Sequence, residues 1–386
     1  MVFQKHFIQN ERQRNLVDRA SSLADKLKQR RKQADKEASF PIENLNDLRS
    51  GNYLSITLPE QYGGEQLSLY EFLLVQEKLA EGDGATALSV GWHLGVIKEL
   101  SEDELWSNQM YDFIAKEVGE KQKLVNRAAT EPATGSPTRG GIPETRAVLS
   151  GDKYVLNGRK TFTTMAEVLD YYIVTAFVEE KQAVGSFLIP NDTDGVKVNK
   201  TWDTLGMRGT GSDDLILENA KVPMDYLVEI NDKPKRPGPK GWLLHIPACY
   251  LGIAMAARND VIEFAKNFQP NSLNTPISEV EHIRQKVGEI DLKLMQARHF
   301  MYGVAEKWDK YPENRSELSG ELGAVKVAAT NYANEIVDLV MRIVGGRGLA
   351  KNLPFEQYYR DVRAGLHNPP MDDMVVQILA KQAFGK

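Results

Sequence analysis

The strongest constraint on the fold is a change of hydrophobic period that occurs twice along the chain. Up to about residue 125 the pattern is helical. In NERQRNLVDRASSLADKLKQRRKQADKEA, Leu16, Leu23 and Leu27 recur among charges, and YEFLLVQEKLAEGDG and ALSVGWHLGVIKEL read as more deeply buried helices. LPEQYGGEQLS between them is a turn-rich loop. From about 125 to 237 the period shortens. KYVLNGRKTFTT, DYYIVTAFVE, GSFLIP, VKVNKTW and DLILENAKVP are β-branched or aromatic runs bounded by Gly, Asn and Asp, which predicts strands. After the Pro- and Gly-rich NDKPKRPGPKG, helical patterns return over 242–268, 280–311 and 318–344, with a last helix from about 369. The predicted order is therefore α+β: a helical domain over 1–125, a β domain over 126–237 and a set of four helices over 238–386.

A chain of 386 residues exceeds one small core, so these units are expected to share buried surface. Forty-eight basic against fifty-three acidic residues leave a net charge of -5, which gives no electrostatic case for nucleic acid or an anionic membrane. The N-terminal MVFQKHFIQNERQRN lacks an apolar run of signal-peptide length, and the most apolar stretch, 242–257, is interrupted by His245, Pro247 and Gly252. The one cysteine, Cys249, excludes an internal disulfide and a Cys-rich metal cluster, and the six histidines are too scattered to propose a metal site. A cytoplasmic protein acting on small molecules or other proteins is the expectation. The basic run KLKQRRK reads as a solvated helix face, and KPKRPGPK as a linker.

Several short motifs occur together and in order. TWDTLGMRGTGSDDLILENAKVP (201–223) resembles a signature of the acyl-CoA dehydrogenase family. AATEPATGSPTRGG (128–141) is similar to that family's TEPxxGSD loop, NGRKTFTT (157–164) to its NGxKxWIT strand, IVGGRGLAKNLPFEQYYRD (343–361) to its GGxG…RD element, and LPEQYGG (58–64) to its PExYGG loop. The resemblance runs from roughly residue 40 to 365. It implies an N-terminal helical domain, a middle β-barrel or sandwich domain and a C-terminal four-helix bundle around FAD. It also implies an acyl-CoA or related substrate, an electron-acceptor flavoprotein or reductase, and a homotetramer or dimer.

For the site, the resemblance implies that Thr130, Gly135 and Ser136 approach the flavin ring and pyrophosphate. Phe162, in place of the usual tryptophan, would pack on the isoalloxazine, and Thr164 would donate to N5. Gly345 and Gly346 would cover the adenine end from a second subunit, with Arg342 as a cation near the pyrophosphate. Trp242, Leu243 and Tyr250 are candidates for the substrate pocket.

Two departures bear on the chemistry. The family's reaction needs a Glu that removes the α-proton on the side of the substrate away from the flavin. It lies either eight residues beyond the RD element, which is Pro369 here, or ten residues before the glycine matching Gly252, which is Trp242. Neither is a carboxylate, and Pro369 also lacks an N–H to polarise the thioester carbonyl. Ile283 stands in place of a Gln, and QPNSLNT (269–275) in place of an Arg-containing segment.

GLHNPPMDD (365–373) can be read as a helix start, with Asn368 as N-cap, proline in the first turn and Asp372 and Asp373 at the positive end of the dipole. Its functional reading is that His367, Asp372 or Asp373 replaces the lost Glu. Flavin monooxygenases of this fold resemble the segment in carrying a His near a Pro. Three functions follow: an acyl-CoA dehydrogenase with a displaced base, a flavin monooxygenase fed by a reductase, or a non-catalytic flavoprotein.

Overall fold

The computed structural model describes residues 6–135, 141–231 and 238–385. Helices α1 (Glu11–Glu37), α2 (Ile42–Ser50), α3 (Leu69–Gly82), α4 (Gly84–Glu102) and α5 (Asn108–Lys121) come first. Asn10 caps α1 by accepting from Gln13 N–H, and Ser68 and Glu71 form a capping box on α3. Asp83 separates α3 from α4, and its carboxylate accepts from the N–H groups of Ala85 and Thr86, so the second helix starts where the first stops. Helices α3 and α4 bury nearly every side chain, as their apolar sequences predict.

Eight strands follow: β1 (Val125–Ala128), β2 (Arg146–Ser150), β3 (Lys153–Lys160), β4 (Tyr171–Val178), β5 (Ala183–Pro190), β6 (Val196–Asn199), β7 (Asp214–Pro223) and β8 (Leu227–Asn231). They form one mixed sheet in the order β6-β7-β3-β2-β4-β5-β8, with β1 parallel to β4. Five match runs read from the sequence. The additional strands β1, β2 and β8 are four or five residues long.

The C-terminal part contains α6 (His245–Asn267), α7 (Glu281–Lys310), α8 (Ser319–Val344), α9 (Phe355–Arg363) and α10 (Asp372–Ala383). A 3-10 turn, Gly241–Leu244, leads into α6. The expected start of the last helix near 369 is corrected: α10 begins at Asp372, and Asn368 does not cap it. Asn368 instead accepts a hydrogen bond from the Tyr250 hydroxyl at 2.6 Å. No helix among the described residues is long and apolar enough to cross a membrane.

Helix α6 packs against α3, α4 and α8, and glycines set how closely. A Cβ at Gly252 would stand 2.3 Å from Glu77 O of α3, and one at Gly84 would stand 2.4 Å from Ile253 Cδ1. Buried charges join the same layers. Arg298 of α7 pairs with Glu77 at 2.8 Å, and the Tyr302 hydroxyl donates to the same carboxylate.

A second cluster ties α4, the sheet and the chain leading into α6. Arg127 bridges Glu99 at 3.1 Å and Glu229 at 2.9 Å, Lys240 pairs with Glu99, and Trp106 Nε1 donates to Glu229 at 2.8 Å. KPKRPGPK lies outside the described residues apart from 238–240, and of these Lys240 belongs to this cluster. The KLKQRRK run is only partly a solvated face: Arg31 is buried and donates to the Tyr358 hydroxyl at 2.8 Å.

Candidate active site

The centre of the site is a buried ion pair that joins two motifs. Lys160, the last residue of β3, lies 2.5 Å from Glu131, with side chains 0% and 1% exposed. Glu131 also accepts from Thr145 Oγ1 at 2.6 Å, Thr145 N–H at 3.1 Å and Glu144 N–H at 2.5 Å. Burial pushes the Glu131 carboxyl up, but the hydrogen bonds from Lys160 and Thr145 outweigh it and hold the group below the usual carboxylate range. Burial acts on Lys160 as well and holds its ammonium below the usual lysine range, while Nζ donates to Glu131 and, at 3.2 Å, to Thr175 Oγ1. The pair anchors Thr130 on one side and Thr161 on the other, and Thr161 N–H donates to Thr130 O at 2.9 Å.

Beyond Lys160 the chain crosses from β3 toward the GTGSD segment. Phe162 adopts a left-handed φ of 55° and leaves its ring 63% exposed, edge-on to Trp202 at 5.7 Å. An apolar ring held this way in a strained backbone is unusual for a core residue and fits a stacking role. Thr163 N–H donates to Asp213 O, Met165 N–H to Thr210 O and Ala166 N–H to Gly211 O. Ser212 Oγ donates to Thr164 Oγ1 at 3.1 Å, and the Thr164 hydroxyl proton has no acceptor among the described residues. Asn126 of β1 holds Thr164 O at 3.3 Å.

Gly135 belongs to the same cluster. Its N–H donates to Glu131 O at 2.9 Å, its φ is +65°, and nothing among the described residues lies within 4 Å of where a Cβ would stand. Thr130, Gly135, Phe162 and Thr164 are thus brought together, while Ser136 lies outside the described residues. Arg342, Gly345 and Gly346 sit elsewhere, exposed at the end of α8, where Gly345 has φ +67° and the neighbouring Arg347 lies 4.4 Å over the Phe268 ring.

In the 365–373 segment, Asp372 is not free to act as a base. One of its oxygens accepts from Lys326 Nζ at 2.9 Å and the other from Asn331 Nδ2 at 2.8 Å. His367 and Asp373 are exposed. Tyr250 is fully buried, with its ring against Gly365, where a Cβ would come within 3.0 Å. Its hydroxyl bond to Asn368 fixes the stretch that contains Pro369. The Asp361 carboxyl of the RD element is buried and accepts from Met207 N–H at 2.6 Å; burial pushes its pKa up to about 7.

Trp242 is 6% exposed and Leu243 is half-buried. Trp242 packs edge-on to Trp92 at 5.8 Å and stacks on His245 at 5.9 Å. A Cβ at Gly95 would stand 2.2 Å from the Trp242 ring, and one at Gly91 2.3 Å from His245 Nδ1, so two glycines of α4 make room for these rings. Glu131, Lys160, Ser212, Asp361 and His245 were not singled out from sequence. The charges of Glu131 and Lys160, inside otherwise uncharged TEP and KTFTT runs, were the available signal.

This arrangement of helices, mixed sheet and helices, with the TEP, KTFTT and GTGSD segments converging on one cradle, defines a class of flavoprotein oxidoreductases. The chain belongs to the acyl-CoA dehydrogenase family: models of its N-terminal, middle and C-terminal domains match residues 10–119, 126–220 and 244–366. The chain is 49% identical over 378 residues to YdbM of Bacillus subtilis (strain 168), covering 98% of this chain and 99% of that protein. Its fold is similar to that of butyryl-CoA dehydrogenase from Megasphaera elsdenii, with TM-score 0.86, 20% identity and coverage of 97% and 98%. It is also similar to that of dibenzothiophene monooxygenase (TdsC) from Paenibacillus sp. A11-2, with TM-score 0.82, 20% identity and coverage of 95% and 96%. The exposed Phe162 ring, the Thr164 hydroxyl proton and the open turn at Gly135 fit the flavin that the family carries.

Proposed function

We propose that this protein binds FAD and oxidises an acyl-CoA thioester to its α,β-unsaturated product. The observation that supports the reading is the Glu131–Lys160 pair, which ties the chain at Thr130 to the Thr161 segment that continues into Phe162 and Thr164. A bound flavin supplies a two-electron acceptor for hydride. The chain's own residues do the rest. Phe162 offers an apolar face for the ring, Thr164 has a hydroxyl proton to give to a ring nitrogen, and Gly135 admits the polar tail close to the backbone. Arg342, Gly345 and Gly346, exposed at the end of α8, suit contact with FAD held by a second copy, which makes a dimer or tetramer the working form. Trp242 and Tyr250 narrow the space left for the acyl group.

A second reading is favoured by one observation: neither Trp242 nor Pro369 can abstract a proton. In that reading a partner reductase delivers electrons and O2 is the oxidant. The test is incubation of the flavin-loaded protein with a saturated acyl-CoA and an electron-accepting dye, without oxygen, followed by mass analysis. A product two mass units lighter supports dehydrogenation. Reductase- and O2-dependent gain of sixteen mass units supports oxygenation instead.

A further inference from the structure

The basic run on α1 plays no part in the flavin cradle, and the fold gives it a setting of its own. Lys28, Lys32 and Lys36 recur every fourth residue, so they stack along one face of α1 with Arg31 beside them. Like charges at this spacing repel one another and weaken the helix that carries them. The stripe forms one wall of a cleft of about 1360 Å³. The C-terminal half of α6, the chain at 204–208 and the segment 351–360 form the others.

Seven cations and four carboxylates line this cleft, in a chain whose net charge is -5. Three of the cations are committed to its walls. Arg360 holds both oxygens of Asp35 at 2.8 Å and Glu356 at 2.7 Å. Arg208 donates to Asp35 O at 2.9 Å and to Asp203 at 3.0 Å, and Lys28 pairs with Asp260 at 3.3 Å. These contacts tie α1 to the 204–208 chain, to α6 and to α9, and so fix the width of the cleft. The fourth carboxylate, Glu263, is exposed and accepts from Asn267 Nδ2.

Four cations are left. Lys32, Lys36 and Lys351 are exposed and have no ion-pair partner among the described residues. Arg31 is 8% exposed. Its Nη1 donates to the Tyr358 hydroxyl at 2.8 Å, which donates in turn to Asp260 at 2.6 Å. Nε and Nη2 have no hydrogen-bond partner among the described residues, and neither is sealed from solvent. A buried guanidinium, held in place by Tyr358, thus turns its two-donor edge into the cleft. That edge is the fork that grips a phosphate with parallel hydrogen bonds.

The facing wall is apolar. Phe264 and Phe268 stack at 5.2 Å, Phe355 meets Phe264 edge-on at 5.9 Å, and Leu353 and Pro354 continue the surface. Leu205 stands at the rim, 65% exposed. An aromatic shelf opposite a guanidinium fork and unpaired ammonium groups suits a ligand that joins a flat ring to phosphates. An inorganic anion would leave the shelf unused, and a fatty acyl chain would leave the charges unused.

We propose that this cleft binds a nucleoside diphosphate group, its phosphates on Arg31, Lys32 and Lys36 and its base against Phe264 and Phe268. The site is separate from the Thr130–Thr164 cradle, none of whose residues line it, and does not rest on the dehydrogenation reading. A free nucleotide and coenzyme A both carry such a group.

The test is calorimetric titration of the full-length protein, with and without added FAD, using ADP, coenzyme A, inorganic pyrophosphate and adenosine as probes. ADP should bind at one site per chain whether or not FAD is present, with pyrophosphate and adenosine each roughly tenfold weaker. Its affinity should fall about tenfold between about 50 and 500 mM salt. The double variant Lys32→Gln/Lys36→Gln changes two exposed, unpaired side chains, so its melting temperature should hold while ADP binds roughly tenfold more weakly. Phe268→Leu should weaken ADP and leave pyrophosphate unchanged. Coenzyme A that binds more tightly than ADP, and weakens in the same double variant, identifies the coenzyme as the occupant. ADP that binds more tightly than coenzyme A identifies a free nucleotide.

ADP binding that FAD abolishes, or that the double variant leaves unchanged, would put the nucleotide elsewhere and overturn the assignment. Pyrophosphate as tight as ADP would reduce the cleft to an anion site, and no heat from ADP or coenzyme A at millimolar concentration would remove it.

Discussion

Lys160 Nζ and Glu131 Oε1 meet at 2.5 Å with no solvent access, and this contact joins the two chain segments that carry Thr130 and Thr161. Removing one partner of a buried ion pair leaves the other desolvated, a loss of about 3–5 kcal/mol. Lys160→Met should therefore lower the urea midpoint by an amount of that order and weaken flavin retention, because Thr130 and Thr161 lose their common anchor. Equilibrium unfolding with flavin absorbance after gel filtration checks both. Undiminished stability would mean that the Thr145 and Glu144 donors suffice alone.

Gly91 and Gly95 make a second, sterically exact demand. A methyl at either would stand 2.3 Å or less from the His245 or Trp242 ring, inside van der Waals contact. Gly91→Ala and Gly95→Ala should each cost about 1–3 kcal/mol despite the better helix propensity of alanine. Thermal unfolding with tryptophan fluorescence reports both the loss and the disturbed Trp92–Trp242 contact.

Asp361 sets a pH dependence. Its folded-state pKa is pushed up to about 7 by burial, against an ordinary value of 3.8. With the folded value the higher, its contribution is fully present below about pH 4 and is lost as pH rises toward 7, a change on the order of 2–4 kcal/mol. Asp361→Asn keeps an oxygen for Met207 N–H and has no proton to lose. Relative to the wild type, this variant should gain stability between pH 5 and pH 8, read by calorimetry at both. A constant difference would place the Asp361 titration outside that window.

Glu99 is shared by Arg127 at 3.1 Å and by Lys240, so one carboxylate ties α4 to the sheet and to the chain entering α6. Glu99→Gln should cost about 2–4 kcal/mol, with Arg127 retaining Glu229. Limited proteolysis near residue 238 should accelerate, because Lys240 loses its partner. Unchanged cleavage would show that the segment is held by Trp242 packing alone.

Much of this was legible in the sequence where side-chain pattern determines backbone. Helical periods around Leu16, Leu23 and Leu27 and alternation in DYYIVTAFVE appear as α1 and β4. Motif order pointed to the Thr130 and Phe162 segments, and in the structure Thr161 N–H donates to Thr130 O. What escaped were properties that arise only from long-range contact. The Glu131–Lys160 pair spans twenty-nine positions, Asn368 is taken by Tyr250 rather than by a helix end, and Asp372 is bound by Lys326 from another helix. That the His245 ring nitrogens have no hydrogen-bond partner among the described residues is likewise visible only once α3, α4 and α6 are packed.

The central claim, flavin-linked oxidation of an acyl thioester on the Thr130–Thr164 cradle, is tested most directly by anaerobic titration of the flavin-loaded protein. A panel of saturated acyl-CoA thioesters is added while the oxidised flavin band is followed. The account predicts stoichiometric bleaching by one structural class of thioester, reversed by an electron acceptor. Retention of the full oxidised band with every thioester, while flavin stays bound, would contradict it.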